Sequence, residues 1–367
     1  MAGSEFGRII RISTWGESHG PAVGVTLDGF PAGMELSQED IQVYLDRRKP
    51  GQSRIATQRK EEDRVEILSG VFEGKTTGTP IAMMIRNKDQ HSADYANIMH
   101  TYRPGHADYT YDRKYGFRDY RGGGRSSARE TAGRVAAGAV CAKLLSLMGV
   151  RLSFYTAAIG DVVISRQRFD PALIGRNATN MPDSVADQEA LALIEELMQR
   201  KDSAGGVVEG RITGVPAGIG DPVFDRLDAC LAKALMSIGA VKAVGIGDGM
   251  FAAYLNGSQN NDVFYADDDG IIRKKTNHAG GILGGISDGS DIIVSASIKP
   301  TPSIGREQET VTDGKENTLL TIQGRHDPVI VPRAVVVCEC MCAITLLDAM
   351  LVNMSAKADS VIQFYKH

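Results

Sequence analysis

Between Arg103 and Glu130 the chain carries Arg103, His106, Arg113, Arg118, Arg121, Arg125 and Arg129, together with the glycine run Gly122-Gly-Gly124. Ser127-Ala-Arg-Glu130 has the pattern of a capping box, in which serine and glutamate side chains satisfy backbone N–H groups at a helix start. The stretch behind it, Thr131 to Met148, is rich in Ala, Val and Leu and predicts a buried helix. Glycines, hydroxyls and guanidinium groups at a helix N-terminus form an anion site, because unpaired N–H groups and the helix dipole both favour negative charge there. The window therefore predicts a phosphorylated or carboxylated ligand. His106 adds a group that can move a proton at neutral pH.

Three further clusters could take part. Gly16-Glu-Ser-His-Gly20 follows a strand candidate, Ile9 to Thr14, and places His19 between small neighbours where it can reach a ligand. By letter it fits Gly-x-Ser-x-Gly, but a hydrolase elbow leads into a helix, whereas Pro21 and the strand-like Val23 to Leu27 follow here. Gly324-Arg-His-Asp-Pro328 precedes the last helical stretch and offers Arg325 as a forked anion grip and Asp327 as a base, unless the two pair with each other. Arg47-Arg-Lys49, Arg54, Arg59, Lys60 and Arg64 form a fourth basic group, which by itself reads as a solvated helix face and the loop after it. No Walker A loop, no Gly-x-Gly-x-x-Gly between a strand and a helix, and no zinc-type His/Cys spacing is present. No metal is expected, and a flavin or phosphate would need a pocket of unconventional design.

The elements that position these groups must come from a chain of 367 residues, enough for a substantial core. A net charge of −4 argues against a general nucleic-acid binder and makes the arginine window a local feature. No apolar run reaches the ~20 residues of a membrane span. Met1-Ala-Gly-Ser-Glu-Phe lacks the features of a signal peptide, so a cytoplasmic location is expected. The odd count of 5 cysteines fits reduced thiols. Cys338, Cys340 and Cys342 lie in the apolar stretch Ala334 to Val352 and read as small residues of a tightly packed helix.

An internal echo organises the chain. Asp28-Gly-Phe-Pro-Ala-Gly33 recurs as Thr213-Gly-Val-Pro-Ala-Gly218, each after a strand candidate (Val23 to Leu27, Val207 to Ile212) and before a helical stretch (Gln38 to Arg48, Pro222 to Ile238). Ser69-Gly-Val-Phe-Glu-Gly74 with Gly78 is matched by Gly280-Gly-Ile-Leu-Gly-Gly285 with Gly289, before the strand candidates Ile81 to Ile85 and Ile292 to Ile298. The same order in both halves predicts a duplicated core, with halves at roughly 1–150 and 200–355 of a single domain. Asp221-Pro222 reads as a helix start, Ser184 as the cap of a helix over Val185 to Arg200, and Pro332 as the opening of a helix to about Met354. Strands and helices mix without regular alternation, which predicts α+β with largely antiparallel sheets. Asp262 to Lys275 reads as an exposed hairpin, and Lys299 to Asn317 as a long loop.

In order along the chain, these clusters resemble the chorismate synthase family. The resemblance rests on Gly16-Glu-Ser-His-Gly20, Asp46-Arg-Arg-Lys-Pro-Gly51 with Arg54, Arg103-Pro-Gly-His-Ala-Asp108, Gly124-Arg-Ser-Ser-Ala-Arg-Glu-Thr131, His278-Ala-Gly-Gly-Ile-Leu-Gly-Gly285, Lys299-Pro300 and Gly324-Arg-His-Asp-Pro328. It implies a central helical layer sandwiched between sheets, a homotetramer, and conversion of 5-enolpyruvylshikimate 3-phosphate to chorismate and phosphate by anti-1,4-elimination with reduced FMN. It also implies roles. Arg48, Arg54, Arg103, Arg129 and Arg325 would contact the substrate's anionic groups. His19, beside Ser18, would protonate the leaving phosphate. His106 would act near the flavin, Asp327 would act with it in removing the ring hydrogen, and Ser127 would assist. Arg125, Ser126, Ala240, Gly284, Lys299 and Ser303 would contact FMN, as His106, Ser127 and Arg325 would. Reduced flavin would come from an external reductase, or from NADPH by an intrinsic activity. Two rival readings are a flavin-dependent oxidoreductase and a polyanion-binding protein using Tyr102, Tyr109, Tyr111, Tyr115 and Tyr120 among the arginines.

Overall fold

The computed structural model describes residues 3–49, 62–88, 98–322 and 327–366. In the first half, β1 (Glu5–Phe6), β2 (Arg11–Gly16) and β3 (Ala22–Asp28) lead into α1 (Gln38–Arg48). After these come β4 (Val65–Ile67), a small hairpin of β5 (Val71–Phe72) and β6 (Lys75–Thr76), and β7 (Ile81–Arg86). Period-two alternation buries Ile81, Met83 and Ile85 of β7 on one face, as a sheet with one covered side requires. The antiparallel sheet runs β1-β2-β3-β7-β4. α2 (Asp108–Tyr115) and α3 (Thr131–Leu147) complete this half.

The second half contains β8 (Arg151–Ile159), β9 (Val162–Val163), α4 (Ser184–Gln199), β10 (Gly206–Thr213), α5 (Leu227–Met236) and β11 (Val241–Ile246). A short α6 (Gly257–Asn260) and the hairpins β12 (Phe264–Ala266)–β13 (Ile272–Lys274) and β14 (Ile282–Leu283)–β15 (Ile286–Ser287) precede β16 (Ile292–Ile298). The chain closes with β17 (Glu307–Val311), β18 (Asn317–Thr321), α7 (Val331–Asn353) and α8 (Ala358–Tyr365). The second sheet is also antiparallel, in the order β11-β16-β10-β8-β9. Without the edge strands β1 and β9, β2-β3-β7-β4 repeats as β8-β10-β16-β11, with a small hairpin before β7 and another before β16. The echo in the sequence is a repeat of topology.

Helices fill the space between the sheets. α3 packs on β2, β3 and β7, α7 packs on β8 and β10, and the two helices pack on each other, with α1 and α5 beside them. The architecture is α+β, a β-α-β sandwich with a central helical layer. Because α7 is covered all round it has no polar face, and nearly every residue from Val335 to Ala349 is buried. Its length and composition would suffice to cross a membrane, contrary to the expectation that no segment would qualify, yet it forms the protein core. Cys338, Cys340 and Cys342 are buried free thiols, raised above their ordinary pKa by burial. The fit is close: a Cβ added to Gly138 of α3 would stand 2.2 Å from Cys340 Cβ and 2.6 Å from its Cα.

Several expectations need correction. The cap of α4 is Asp183, one residue before Ser184; its buried carboxylate accepts from the Val185 and Ala186 N–H groups. Asp221-Pro222 does not start a helix. Val223 takes a φ of +70°, Asp221 receives Arg8 at 3.3 Å, and α5 begins at Leu227, whose N–H reaches the Gly285 carbonyl. The segment read as a long loop contains β17 and pairs with β18. Its strands are mostly polar and only Leu320 is buried, so they carry little hydrophobic contrast.

Candidate functional site

The β2–β3 connection, residues 17–21, is a tight turn closed by the Gly20 N–H on the Glu17 carbonyl at 3.1 Å. A strand follows it, so the serine-hydrolase elbow is absent. Ser18 Oγ lies 3.1 Å from His19 Nδ1. Asn87, just after β7, holds both ends of the turn by donating from Nδ2 to the Glu17 and Gly20 carbonyls at 3.0 and 2.8 Å. Its Oδ1 accepts from Arg129 Nε at 2.8 Å. One amide thus joins the His19 turn to an arginine of the anion window.

Gly122, Gly123 and Gly124 all have positive φ and pass between two imidazoles. A Cβ on Gly122 would meet His19 Cε1 at 2.2 Å, and one on Gly123 would meet His106 Cε1 at 2.9 Å. His19 and His106, 87 positions apart in the sequence, thus flank consecutive glycines. On the far side of His106, the buried Asp108 accepts from Arg103 Nε at 2.8 Å and from Arg103 Nη2 at 2.7 Å, and its Oδ1 lies 3.0 Å from His106 Nδ1. Burial would raise the Asp108 pKa, but the hydrogen bonds from Arg103 and His106 overcome it and hold the carboxyl well below its usual range. Lys299 reaches the same loop, with Nζ donating to the Gly105 carbonyl at 2.6 Å. Burial and the nearby Lys242 hold its ammonium below the ordinary value, so an anion there would be welcome. The Lys299 N–H bonds the Ala240 carbonyl, and Pro302, next to Ser303, packs toward Gly105.

A second cluster surrounds Asp63, which is fully buried between Arg48 and Arg129 and bonded to both. Arg48 also donates to Thr131 Oγ1 and the Ala128 carbonyl. Burial pushes its guanidinium below the usual pKa, with Asp63 opposing, yet an arginine remains charged at neutral pH. Burial works to raise the Asp63 pKa, and the two guanidinium groups outweigh it and lower the net value. Arg333 in the first turn of α7 donates to the Arg48 carbonyl at 3.1 Å and to Asp327 Oδ2 at 2.6 Å. Arg54 and Arg325 lie outside the described residues.

The helix start differs from its sequence reading. Ser127 caps a short 3-10 turn, accepting from the Arg129 N–H, but the capping box does not close. Glu130 instead accepts from Thr14 Oγ1 at 2.8 Å and from Arg134 Nε at 2.8 Å. Ser126, Ser127 and Glu130 direct their N–H groups to the Gly123, Gly124 and Ser127 carbonyls, so these three donors are not open to an anion. Arg125 bonds the Thr14 and Gly16 carbonyls, Arg118 pairs with Asp112, and Arg121 pairs with Asp119. Tyr102 packs edge-on to Tyr109 beneath Arg118. Of the fourth basic group, Arg48 is interior, whereas Arg47 and Arg64 are exposed as a solvated face would be, Arg47 also making a paired contact with buried Glu339 of α7 at 3.1 and 2.5 Å; Arg59 and Lys60 lie outside the described residues.

His19, Ser18, His106 and Ser126 therefore gather around the glycine run, Arg103 and Lys299 lie on the loop that carries His106, and Arg48, Arg129 and Asp327 belong to the Asp63 cluster. Gly284 lies apart, at the tip of the β14–β15 hairpin, beside residues that pack on Asp221, Arg226 and Leu227. Asp63, Asn87, Arg333 and the contact of Asp108 with His106 were missed. Only the spacing His106-Ala-Asp108 could have drawn attention, since it lets a carboxylate meet an imidazole; Asp63 and Asn87 carry no local pattern. A separate recess between β1, α5 and α7 is lined by Phe6, Leu227, Lys233 and Asp348. Of its two acids, Asp225 and Asp348, the buried Asp348 already takes the N–H groups of Ile9 and Ile10 at 2.7 and 2.9 Å. It holds none of the candidate site residues.

A family model described as chorismate synthase matches residues 10–351. The chain is 58% identical over 366 residues to a chorismate synthase of Agathobacter rectalis, covering 100% of both, and 58% identical to one of Lachnospira eligens with the same coverage. It is 54% identical to a chorismate synthase of Methanosarcina mazei, over 96% of this chain and 97% of that one. A solved structure titled "Crystal Structure of Chorismate Synthase" matches with a TM-score of 0.76 and 33% identity, covering 98% of this chain and 97% of that chain.

Proposed function

The chain belongs to the chorismate synthase family and is a carbon–oxygen lyase; from that premise we propose that it converts 5-enolpyruvylshikimate 3-phosphate to chorismate and phosphate by anti-1,4-elimination with reduced FMN. The observation that carries the reading is the convergence of His19 and His106 on consecutive glycines beside Arg103, in a chain of this family.

The substrate bears one phosphate and two carboxylates, and fixed cations stabilise such charge without reorganising. Arg48, Arg103 and Arg129, with Arg54 and Arg325, are the groups that bind them. Asp63 offsets part of this charge, so Arg48 and Arg129 together keep a net charge of about +1 for an incoming anion. His19 donates a proton to the departing phosphate, held toward the glycine run by a turn that Asn87 clamps and by Ser18 on its Nδ1. Asp327, oriented by Arg333, accepts the ring hydrogen as a proton, and Ser127 supplies a hydroxyl at the rim.

The residues present fit an anionic flavin. Lys299 and Lys242 are nearby cations, Ser126 stands by the glycine run, and with Ser127, Arg125, Ala240, Ser303, His106 and Arg325 they are the groups that would contact it. Gly284 would complete the set from its separate hairpin. Held by these residues, reduced FMN would supply electron density for C–O cleavage with no net redox change. Arg103 and His106 lie on the same side of the site, behind the glycine run. We also read the chain as one domain of two related halves, acting in the cytoplasm as a homotetramer, with reduced flavin from an outside reductase rather than from NADPH directly. Exposed Phe224, Phe251 and Tyr254 give the second half an apolar surface for a further copy.

The test is an anaerobic assay with 5-enolpyruvylshikimate 3-phosphate and chemically reduced FMN, following chorismate and phosphate together. Equimolar products without net flavin oxidation are expected. Reductant consumed in proportion to product would mean an oxidoreductase, and no product from folded, FMN-binding protein would overturn the lyase reading. Repeating the assay with NADPH and oxidised FMN decides the source of electrons.

A further inference from the structure

We propose that Asp108 is the positioning residue for His106, fixing the imidazole as its Nδ1–H tautomer so that Nε2 is the ring atom presented to the glycine run. The inference rests on the reading of His106 as a working group of the site. Asp108 is the first residue of α2 and only 3% exposed. Its Oδ2 accepts from the Arg103 backbone N–H at 3.0 Å and from Arg103 Nε at 2.8 Å. Its Oδ1 accepts from Arg103 Nη2 at 2.7 Å and lies 3.0 Å from His106 Nδ1.

Arg103 Nη2 is also 3.0 Å from His106 Nδ1, so it could in principle donate to a bare Nδ1. Charge decides against this, because Arg103 Nη2 already has a carboxylate acceptor in Oδ1 at 2.7 Å, the shorter of its two contacts, and does not need the ring. A bare Nδ1 would then face a carboxylate oxygen at 3.0 Å with no proton between them. The proton therefore sits on Nδ1, and Asp108 faces it in both the neutral and the charged ring. Nε2 lies toward Gly123 and Ser126, where it can take up or release a proton.

Asp108→Asn separates this role from packing. Both positions on Asp108 face donors, but Oδ2 faces two from Arg103, which cannot change. The amide NH2 of asparagine therefore takes the Oδ1 position, where it opposes one Arg103 donor instead of two, and donates to His106 Nδ1, forcing the proton to Nε2. Long-range 1H–15N correlation of 15N-histidine-labelled full-length protein reads which ring nitrogen carries the proton, with His106 signals assigned by their loss in His106→Gln. The wild type should show Nδ1–H and Asp108→Asn should show Nε2–H, with kcat down by ~10²-fold or more and a smaller change in KM. A neutral wild-type His106 protonated on Nε2 overturns the proposal, as does an unchanged tautomer in folded Asp108→Asn. The wild-type spectrum needs no substitution, so a variant that fails to fold still leaves the proposal open to refutation. Because the tautomer is read without turnover, failure of the lyase assay and failure of this assignment remain distinguishable.

Discussion

Replacing Gly122 with alanine asks whether the glycine run sets the position of His19. The residue has a φ of +74°, where an alanine costs about 1–2 kcal/mol. Its Cβ would sit 2.2 Å from His19 Cε1 and 2.4 Å from Nδ1, with Ser18 Oγ at 3.1 Å. Ordinary van der Waals contact begins near 3.4 Å, so the ring must retreat by just over 1 Å. The turn cannot carry it away easily, because Asn87 holds both ends. A misplacement of ~1 Å in a reacting group can cost ~10²-fold in rate. Gly116→Ala is the control: its φ is +82°, and nothing lies within 4 Å of the added Cβ. Both variants should lose about 1–2 kcal/mol in urea unfolding, while only Gly122→Ala should lose ~10²-fold in anaerobic turnover with saturating reduced FMN. If Gly122→Ala turns over like Gly116→Ala while His19→Ala is impaired, the assigned contact is wrong.

His106→Ala should lower turnover by ~10²-fold or more under the same conditions, and near-unchanged turnover would remove His106 from the chemistry. Gly138→Val should destabilise the protein by ~3 kcal/mol or more by forcing α3 off the α7 backbone at Cys340, against a small change in helix propensity; an unchanged urea midpoint would contradict the close crossing. Asp183 gives a pH signature. Burial opposes its ionisation, but Arg168 and the Ser165, Ala186 and Val185 N–H groups bring its pKa from 3.8 down to about 2. A folded pKa below the unfolded one means stability that is present above about pH 4 and lost as pH falls toward 2, about 2 kcal/mol in all. The stability gap between wild type and Asp183→Asn should therefore shrink from pH 5 to pH 3, and a constant gap would refute the assignment.

Much of the frame is local and was open to a reader of the sequence. Alternating apolar residues mark β3, β7, β10 and β16, and unbroken apolar stretches mark α3 and α7. The recurring turn glycines fix where each half repeats its strand order. The histidines, arginines and serines of the site announce themselves by type, and in order they carry the family resemblance. Their partners do not. Arg48 and Arg129 meet on Asp63, 15 and 66 positions away, and Asn87 joins residues 42 and 70 positions distant. Glu130 leaves its local capping role because β2 brings the Thr14 hydroxyl within 2.8 Å. The start of α5 moves because a distant hairpin supplies a carbonyl for Leu227. Periodicity and turn chemistry act within a few residues and can be read in line. Which charge neutralises which, and which donor wins an acceptor, depends on what the folded sheets and helices carry into contact, and only the tertiary structure decided that.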